Sequence, residues 1–364
     1  MAQLPLSDDF RSLVLENTPL IDVRAPVEFE KGAFPGAVNL PLMTDEERHL
    51  VGIKYKEEGN AEAVRLGHRL VGGDVKEARI AAWKAFIDAN PEAKLYCFRG
   101  GQRSEIAQQW IHESGRDIVR LKGGYKAFRN YLMEETERST EHFSPLILGG
   151  RTGSGKTILL QEIANAVDLE GLANHRGSSF GRKITPQPPA IDFENALAYD
   201  LIQKLDRGFN HLVFEDEGRS VGRLYLPKSL WEHLAPAPLV ILETADEERV
   251  AITVDEYVTQ AQQKYKKAFG ENGLKLWAED IRAAMARIQK RLGGLRYQEV
   301  SSLFEEALAR QKAGSDVSVY DDWAAYLLKE YYDPMYDYQI EKNSDRIVFR
   351  GSAGAVREYF AMYR

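Results

Sequence analysis

The single cysteine of this 364-residue chain, Cys97, lies where a reactive thiol would be placed. The apolar residues 94–98 predict a strand, and a helical pattern begins near Ser104, so the thiol falls in the loop between them. We expect a thiol in this loop to be exposed, flanked by cations and close to a helix N-terminus. All three conditions favour the thiolate, which is the nucleophilic form. With no second cysteine, any chalcogen that Cys97 carries must pass to another molecule. The groups expected to stabilise its anion are Arg99, Gly100, Gly101 and Arg103.

A second chemical motif lies in residues 150–157, which match the phosphate-loop pattern G-x-x-x-x-G-K-[ST]. A predicted strand precedes it and a predicted helix follows it. The glycines let backbone N–H groups surround an anion, Lys156 reaches a terminal phosphate, and the Thr157 hydroxyl suits Mg²⁺. The pattern indicates phosphate or diphosphate binding without selecting a nucleotide. The predicted phosphate-binding residues are Gly150, Gly153, Ser154, Gly155, Lys156 and Thr157.

Two further segments could complete the phosphate site. The predicted strand 211–215 leads into an acidic run, in which we assign Asp216, with Glu215 and Glu217 as close alternatives, to join Thr157 as an Mg²⁺ ligand. An ordinary acidic loop is the alternative. The polar segment 174–179 is a candidate substrate loop, although a histidine on a loop is by itself weak evidence for catalysis. Its candidate residues are His175, Arg176, Ser178 and Ser179.

The elements that must position these residues alternate between strands and helices, which predicts parallel sheets. We expect an α/β protein of two domains, 1–138 and 139–364, with the boundary in the polar segment 134–143. An insertion at 43–75 is expected to be helical. The second domain is expected to be a phosphate-loop NTPase-like α/β domain that becomes mainly helical after about residue 245.

The composition is that of a globular protein, with 44% hydrophobic and 28% charged residues. One cysteine excludes a disulfide framework and fits a reducing compartment. The N-terminal residues do not have the pattern of a signal peptide, and no apolar stretch has the length of a membrane span. We therefore expect a cytoplasmic protein without a membrane partner.

The net charge of −7 is unevenly distributed. Residues 261–300 contain nine Lys and Arg against four acids, a local charge of +5 that leaves −12 on the remainder. Ile281, Met285, Ile288 and Leu292 form an apolar stripe at helical spacing, and the cations lie off that stripe. We predict a surface for a polyanion here, with a solvated charged face as the alternative. The cations concerned are Arg287, Lys290 and Arg291.

The N-terminal region resembles the rhodanese family through three separated signatures in the family's order. They are the stretch Leu20-Ile-Asp22-Val-Arg24 with its continuation to Pro41, the Cys97 loop, and Leu121-Lys-Gly123-Gly124-Tyr125. The resemblance covers about residues 1–135 and implies a rhodanese-like parallel-sheet domain whose cysteine carries a sulfane sulfur as a persulfide. One departure, Ala33-Phe34 where the family often has His-Ile, is a packing difference.

Essentially the whole chain resembles the bacterial tRNA 2-selenouridine synthase family, in which a rhodanese-like domain is fused to a phosphate-loop domain. Besides the two loops, residues 169–181 and 215–219 carry this resemblance. One departure is Gly218, where a serine would be expected, and it bears on the metal role of the acidic run.

This resemblance implies a transferase that replaces sulfur by selenium in the wobble 2-thiouridine of certain tRNAs, with selenophosphate as selenium donor. It also implies an S-geranyl-2-thiouridine intermediate made from geranyl diphosphate. The implied partners are tRNA carrying wobble 2-thiouridine and a selenophosphate-producing enzyme. In such chemistry Lys156 and Mg²⁺ would neutralise the departing diphosphate, and Cys97 would carry selenium or accept the displaced group in a second step.

Two other classes of function use the same residues. An NTP-dependent RNA sulfurtransferase would use both motifs in their commoner roles, and it would couple NTP hydrolysis to sulfur transfer. A regulatory binding protein would combine a rhodanese-like sensor with an inactive phosphate loop. The intact Cys97, Lys156 and Thr157 speak against the second of these.

Overall fold

The computed structural model describes residues 4–181 and 183–363. Its internal contacts divide the chain into two units. The first unit contains the chain up to Ser139 together with Pro189–Arg207, and the second contains Thr140–Pro188 and the chain from Gly208 onward. Each unit has a five-stranded parallel sheet, which confirms the predicted α/β class.

Five short strands form the sheet of the first unit. They are β1 (Leu6–Ser7), β2 (Leu20–Asp22), β3 (Ala37–Asn39), β4 (Lys94–Tyr96) and β5 (Val119–Leu121). Their order is β1-β5-β4-β2-β3, with every neighbouring pair parallel. Because parallel strands end at the same edge of a sheet, the segments after β4 and β5 meet there, and they carry Cys97 and the Gly123-Gly124 turn.

Helices cover both faces of this sheet. They are α1 (Phe10–Leu15), α2 (Pro26–Phe29), α3 (Asp45–Glu58), α4 (Asn60–Leu70), α5 (Gly73–Ala89), α6 (Gln102–Glu113), α7 (Gly124–Ser139) and α10 (Ala190–Asp206). The predicted helical insertion is confirmed as α3 and α4. Helix α3 begins with a capping box in which the Thr44 hydroxyl accepts from Glu47 N–H and the Glu47 carboxylate accepts from Thr44 N–H. The polar segment 134–139 is the last part of α7.

Helix α10 belongs to the first unit although it follows the phosphate loop in sequence. Its Ala198, Tyr199 and Ile202 pack in a core with residues of α1 and α7. Asn195 on the same helix donates to Ala33 O at 2.7 Å. The range predicted for the second domain, 139–364, therefore includes one helix that packs in the first unit.

The second unit is built on a sheet with the strand order β12-β11-β6-β8-β7. Its strands are β6 (Ser144–Gly149), β7 (Ala166–Val167), β8 (His211–Glu215), β11 (Leu239–Leu242) and β12 (Ile347–Gly351), and β9 (Ser220–Val221) and β10 (Leu224–Tyr225) form a separate antiparallel pair. Strand β12 pairs in parallel with β11 at the sheet edge. This strand was not predicted from the sequence, because its residues are only half buried and follow a long helical region.

Helices make up most of the second unit. They are α8 (Lys156–Gln161), α9 (Leu169–Leu172), α11 (Lys228–Leu234), α12 (Asp246–Val254), α13 (Gln260–Phe269), α14 (Gly273–Leu292), α15 (Gly294–Lys312), α16 (Asp321–Leu327), α17 (Asp333–Lys342) and α18 (Ala353–Ala361). An aromatic core that includes Trp277, Phe304 and Trp323 joins α14, α15 and α16. Within the described ranges, every helix is too short or too polar to span a lipid bilayer.

Candidate active sites

Cys97 lies in the loop between β4 and α6, as predicted, but its side chain is buried, with 3% of its surface exposed. Its Sγ atom lies 3.1 Å from Ser104 Oγ and 3.8 Å from Gly101 O. The sulfur packs in the same core as Leu95 and Ala107. The expectation of an exposed thiol is therefore wrong, because the loop and the first turn of α6 close over the sulfur.

The backbone of the thiol loop has N–H groups that no protein atom uses. In the described part of the chain, no group accepts a hydrogen bond from the N–H of residues 98–101. Gly100 has a φ of +64°, and a side chain at Gly124 would collide with Cys97 O. Arg120 donates to Gly100 O. These contacts fix the shape of the loop, and stabilisation of an anion by the N–H groups at Gly100 and Gly101 stays a prediction.

The two arginines of the thiol loop occupy different positions. Arg99 is exposed, with its guanidinium 5.9 Å from the Phe98 ring centroid. Arg103 instead forms a forked ion pair with Glu28, with Nη1–Oε2 at 2.5 Å and Nη2–Oε1 at 3.1 Å. Burial opposes ionisation of Glu28, but Arg103 and then Arg48 hold the pKa of its carboxyl below the usual value. Stabilisation of the thiol anion by Arg99 and Arg103 stays a prediction.

The phosphate loop occupies the turn between β6 and α8, as predicted. Gly153 and Gly155 adopt φ values of +76° and +85°, which a side chain would strain. Lys156 Nζ donates to Gly150 O at 2.8 Å and to Arg151 O at 3.1 Å. Burial lowers the pKa of Lys156, an effect that nearby acids, Glu170 first, oppose. The lysine is therefore a preorganised cation inside its own loop.

A cluster of carboxyl groups lies beside this lysine. Burial, reinforced by the charge of Glu170, raises the pKa of Glu215 to about 9 and that of Glu217 to about 8. Burial also raises the pKa of Asp216. The acids are thus held towards their neutral forms, and a bound cation would favour their ionisation with release of protons.

The predicted Mg²⁺ ligands, Thr157 and Asp216, line one cavity together with Lys156. No cluster of three or more His, Cys, Asp or Glu suited to a metal occurs in the described ranges. Mg²⁺ at phosphate sites commonly takes one or two carboxylates plus phosphate oxygens, and this pair of residues fits that pattern. The assignment stays a prediction.

The candidate substrate loop divides between two places. Arg176 and Ser178 line the phosphate-loop cavity. Ser178 Oγ lies 3.0 Å from Tyr257 OH, and Arg176 donates to Glu256 O at 3.2 Å. Ser179 O instead accepts from the Arg287 guanidinium at 2.8 Å. His175 donates its backbone N–H to Glu170 O at 3.0 Å.

Comparison with known proteins accounts for both halves of the chain. Residues 143–364 match the family model of the tRNA 2-selenouridine synthase AAA domain, and residues 7–131 match that of the rhodanese-like domain. The chain belongs to the tRNA 2-selenouridine synthase family. It is therefore an enzyme, as the sequence resemblance implied.

Individual relatives of the same family match over the whole length. The chain is 70% identical to the tRNA 2-selenouridine synthase of Sulfurovum sp. (strain NBC37-1), covering 100% of both chains. It is 51% identical to that of Hydrogenovibrio crunogenus, covering 98% of this chain and 99% of the relative. It is 49% identical to that of Pseudomonas entomophila, covering 98% and 96%.

Several residues at the phosphate site of this selenouridine synthase family member were missed from sequence. Tyr257, Tyr336 and Ile252 form walls of the cavity around Lys156. Arg249, with 2% of its surface exposed, donates to Thr152 O through Nε at 3.1 Å and Nη2 at 3.0 Å. No sequence motif identifies these residues, because they lie in the helical region that follows β11.

The predicted basic helix is α14. Ile281, Met285, Ile288 and Leu292 are buried, as the helical spacing predicted. The cations at 287, 290 and 291 are exposed. Nucleic-acid binding by these cations stays a prediction.

Proposed function

We propose that this enzyme replaces the sulfur of wobble 2-thiouridine in tRNA by selenium, in two steps served by two sites. Its relatives carry the name tRNA 2-selenouridine synthase, which supports the overall conversion. The finer proposal is that the phosphate loop serves geranyl transfer and the thiol loop serves selenium insertion.

In the proposed first step, the thiouridine sulfur attacks the allylic carbon of geranyl diphosphate. An S–C bond forms, the C–O bond breaks, diphosphate leaves with the electron pair, and the base releases its N3 proton. Lys156 and the glycine-rich backbone bind the leaving diphosphate and neutralise its charge. Mg²⁺, held by Thr157 and Asp216, would supply further neutralisation of the diphosphate.

Alkylation makes the second step possible because it turns a poor sulfur leaving group into a thiolate that can depart. Selenophosphate attacks the C2 carbon through selenium, so that a C–Se bond forms and the C–S bond breaks. Geranylthiolate leaves with the electron pair and takes up a proton, for which the Cys97 thiol is the proposed donor, and water cleaves the P–Se bond to release phosphate. The uncommitted N–H groups after Cys97 are suited to the anions of this step.

The lining of the Lys156 cavity is the observation that favours geranyl diphosphate over a nucleotide as the ligand. The rings of Tyr257 and Tyr336 and the side chain of Ile252 line it beside the phosphate loop, and Lys156 Nζ is 5.4 Å from the Tyr336 ring centroid. Aromatic faces stabilise positive charge, which develops on an allylic carbon as diphosphate departs. These three side chains form the apolar part of a cavity that is otherwise lined by polar, charged and glycine residues, and they favour a prenyl diphosphate there.

Substitution of Lys156 tests the first step. We expect Lys156→Ala to abolish formation of S-geranyl-2-thiouridine in 2-thiouridine tRNA supplied with geranyl diphosphate, as measured by mass spectrometry of tRNA nucleosides. Lys228→Ala, at an exposed lysine of the same unit, is the control and should geranylate normally. Normal geranylation by the Lys156 variant would refute the proposal. NTP hydrolysis coupled to sulfur transfer would favour the sulfurtransferase instead.

A further inference from the structure

A cavity of about 620 Å³ opens in the first unit, which does not contain the phosphate loop. Its walls come from the insertion helices α3 and α4 and from α6, the helix that follows the thiol loop. The apolar side chains in these walls include Val51, Ile53, Val64, Ile106 and Trp110. Its volume lies within the range of small-molecule sites, which is about 300–1,000 Å³.

Only part of the apolar surface of the insertion helices is used in the core, against which Val51 of α3 and Leu70 of α4 pack. In α3 and α4, a fully described segment, Ala63 is the one buried residue. Ile53 and Tyr55 line the cavity with 39% and 58% of their surfaces exposed. Helices normally bury their apolar stripe against another element, so these two helices present apolar surface for something other than the protein core.

The charged side chains that line the cavity are cationic, and Glu28, which is not part of the lining, pairs with two of them. Arg48, Lys56 and Arg103 line it, whereas no Asp or Glu is among the described residues that do so. Apolar walls with a cationic rim suit a ligand that joins an apolar group to phosphates. A prenylated nucleotide within tRNA has this chemistry, because its hydrocarbon chain hangs from a nucleoside flanked by phosphodiesters.

The cavity adjoins the thiol loop through a chain of ion pairs. Gln102 and Arg103, at the start of α6, are part of both the loop end and the cavity wall. Glu28 bridges Arg103 to Arg48, whose Nε lies 2.9 Å from Glu28 Oε2. A ligand whose apolar end fills the cavity therefore has its other end close to the loop that carries Cys97.

We propose that this cavity binds the geranyl group of the S-geranyl-2-thiouridine intermediate and thereby presents its C2 carbon to the thiol loop for selenium insertion. This rests on the proposed function and adds a second prenyl site, separate from the phosphate loop. The geranyl group stays on sulfur while it is bound and leaves as geranylthiol when the C2–S bond breaks.

A matched pair of substitutions on α3 tests the site. Ile53 lines the cavity and Leu50 does not, yet their exposed fractions are 39% and 41%. The full-length variants Ile53→Asp and Leu50→Asp are compared with wild type for binding of chemically synthesised anticodon stem-loops. The stem-loops carry 2-thiouridine, S-methyl-2-thiouridine or S-geranyl-2-thiouridine. Thermal unfolding of both variants verifies their folding.

Wild type and Leu50→Asp should bind the S-geranyl stem-loop at least about tenfold more tightly than the S-methyl one, and Ile53→Asp should lose that preference. Its affinity for the 2-thiouridine stem-loop should stay unchanged. The proposed site would be wrong if Ile53→Asp kept the preference for the S-geranyl stem-loop. It would also be wrong if the affinity of this variant for all three RNAs fell equally. Because the RNAs are synthetic, this result is independent of whether wild type geranylates tRNA, which is the separate test of the proposed function.

Discussion

At the scale of single residues, burial changes the meaning of Cys97. The thiol is covered by its own loop and contacts Ser104 Oγ, so it is a sheltered group, and the N–H groups of residues 98–101 in the same loop have no acceptor in the described ranges. Shelter from water strengthens the interaction of those dipoles with an anion. We therefore predict that the loop stabilises an anionic selenium or sulfur species beside Cys97.

We expect Cys97→Ser to lower selenium insertion at least about a hundredfold, the scale on which a positioned catalytic group contributes. Geranylation should continue, because its groups lie in the other unit, so S-geranyl-2-thiouridine should accumulate. Nucleoside mass spectrometry measures both products. Cys97→Ala should likewise lose selenium insertion and keep geranylation. Loss of both activities in both variants would mean that the cysteine is structural.

At the scale of elements, the phosphate loop is held by a side chain from α12. The Arg249 guanidinium binds Thr152 O and forms ion pairs with Asp333 of α17 and Asp246. A buried arginine with this set of partners ties the loop to two helices that are distant in sequence. The loop conformation therefore depends on the helical region that follows β11.

Removal of this buried arginine should be costly. We expect Arg249→Met to lower the free energy of unfolding by about 3 kcal/mol or more, because Asp333, mostly buried, loses its closest partner and keeps Arg151 only at 3.9 Å. Arg282→Met removes an exposed ion pair with Glu305 and should cost at most about 1 kcal/mol. Urea denaturation of both variants makes the comparison. Equal costs would show that the loop does not depend on Arg249.

At the scale of the whole molecule, charge is concentrated in one segment. Residues 261–300 carry +5 within a chain of net charge −7. Most of this charge lies on α13 and α14, whose apolar residues face an aromatic core while Lys290 and Arg291 stay exposed. A cationic helix face on an acidic protein gives a polyanion a preferred place to bind.

Charge reversal tests that surface. We expect Lys290→Glu combined with Arg291→Glu to weaken tRNA binding and to lower the slope of log affinity against log salt by roughly 1.5 to 2, the value for two lost phosphate contacts. Lys228→Glu with Lys312→Glu makes the same charge change at exposed residues outside the segment. Affinity titrations across salt concentrations measure both. An unchanged slope in the first variant would place the tRNA elsewhere.

The sequence by itself determined the local features of this protein. Both loops were predicted from residue types, because positive φ values at Gly100, Gly153 and Gly155 require glycine. The burial of the apolar stripe of α14 was predicted from helical spacing, because amphipathic periodicity is a local pattern that repeats within a few helical turns. Family membership also followed from the sequence, since ordered motifs along one chain are specific even when their contacts are unknown.

Only the tertiary structure decided which distant residues meet. Arg103 pairs with Glu28, 75 positions away, and Arg249 pairs with Asp333, 84 positions away. Helix α10 packs in the first unit, and the cavity beside the thiol loop is lined by helices from an insertion. Side-chain pairing and burial depend on long-range packing, which local periodicity does not encode. For the same reason the exposure of Cys97 was predicted wrongly, although its place in the loop was predicted correctly.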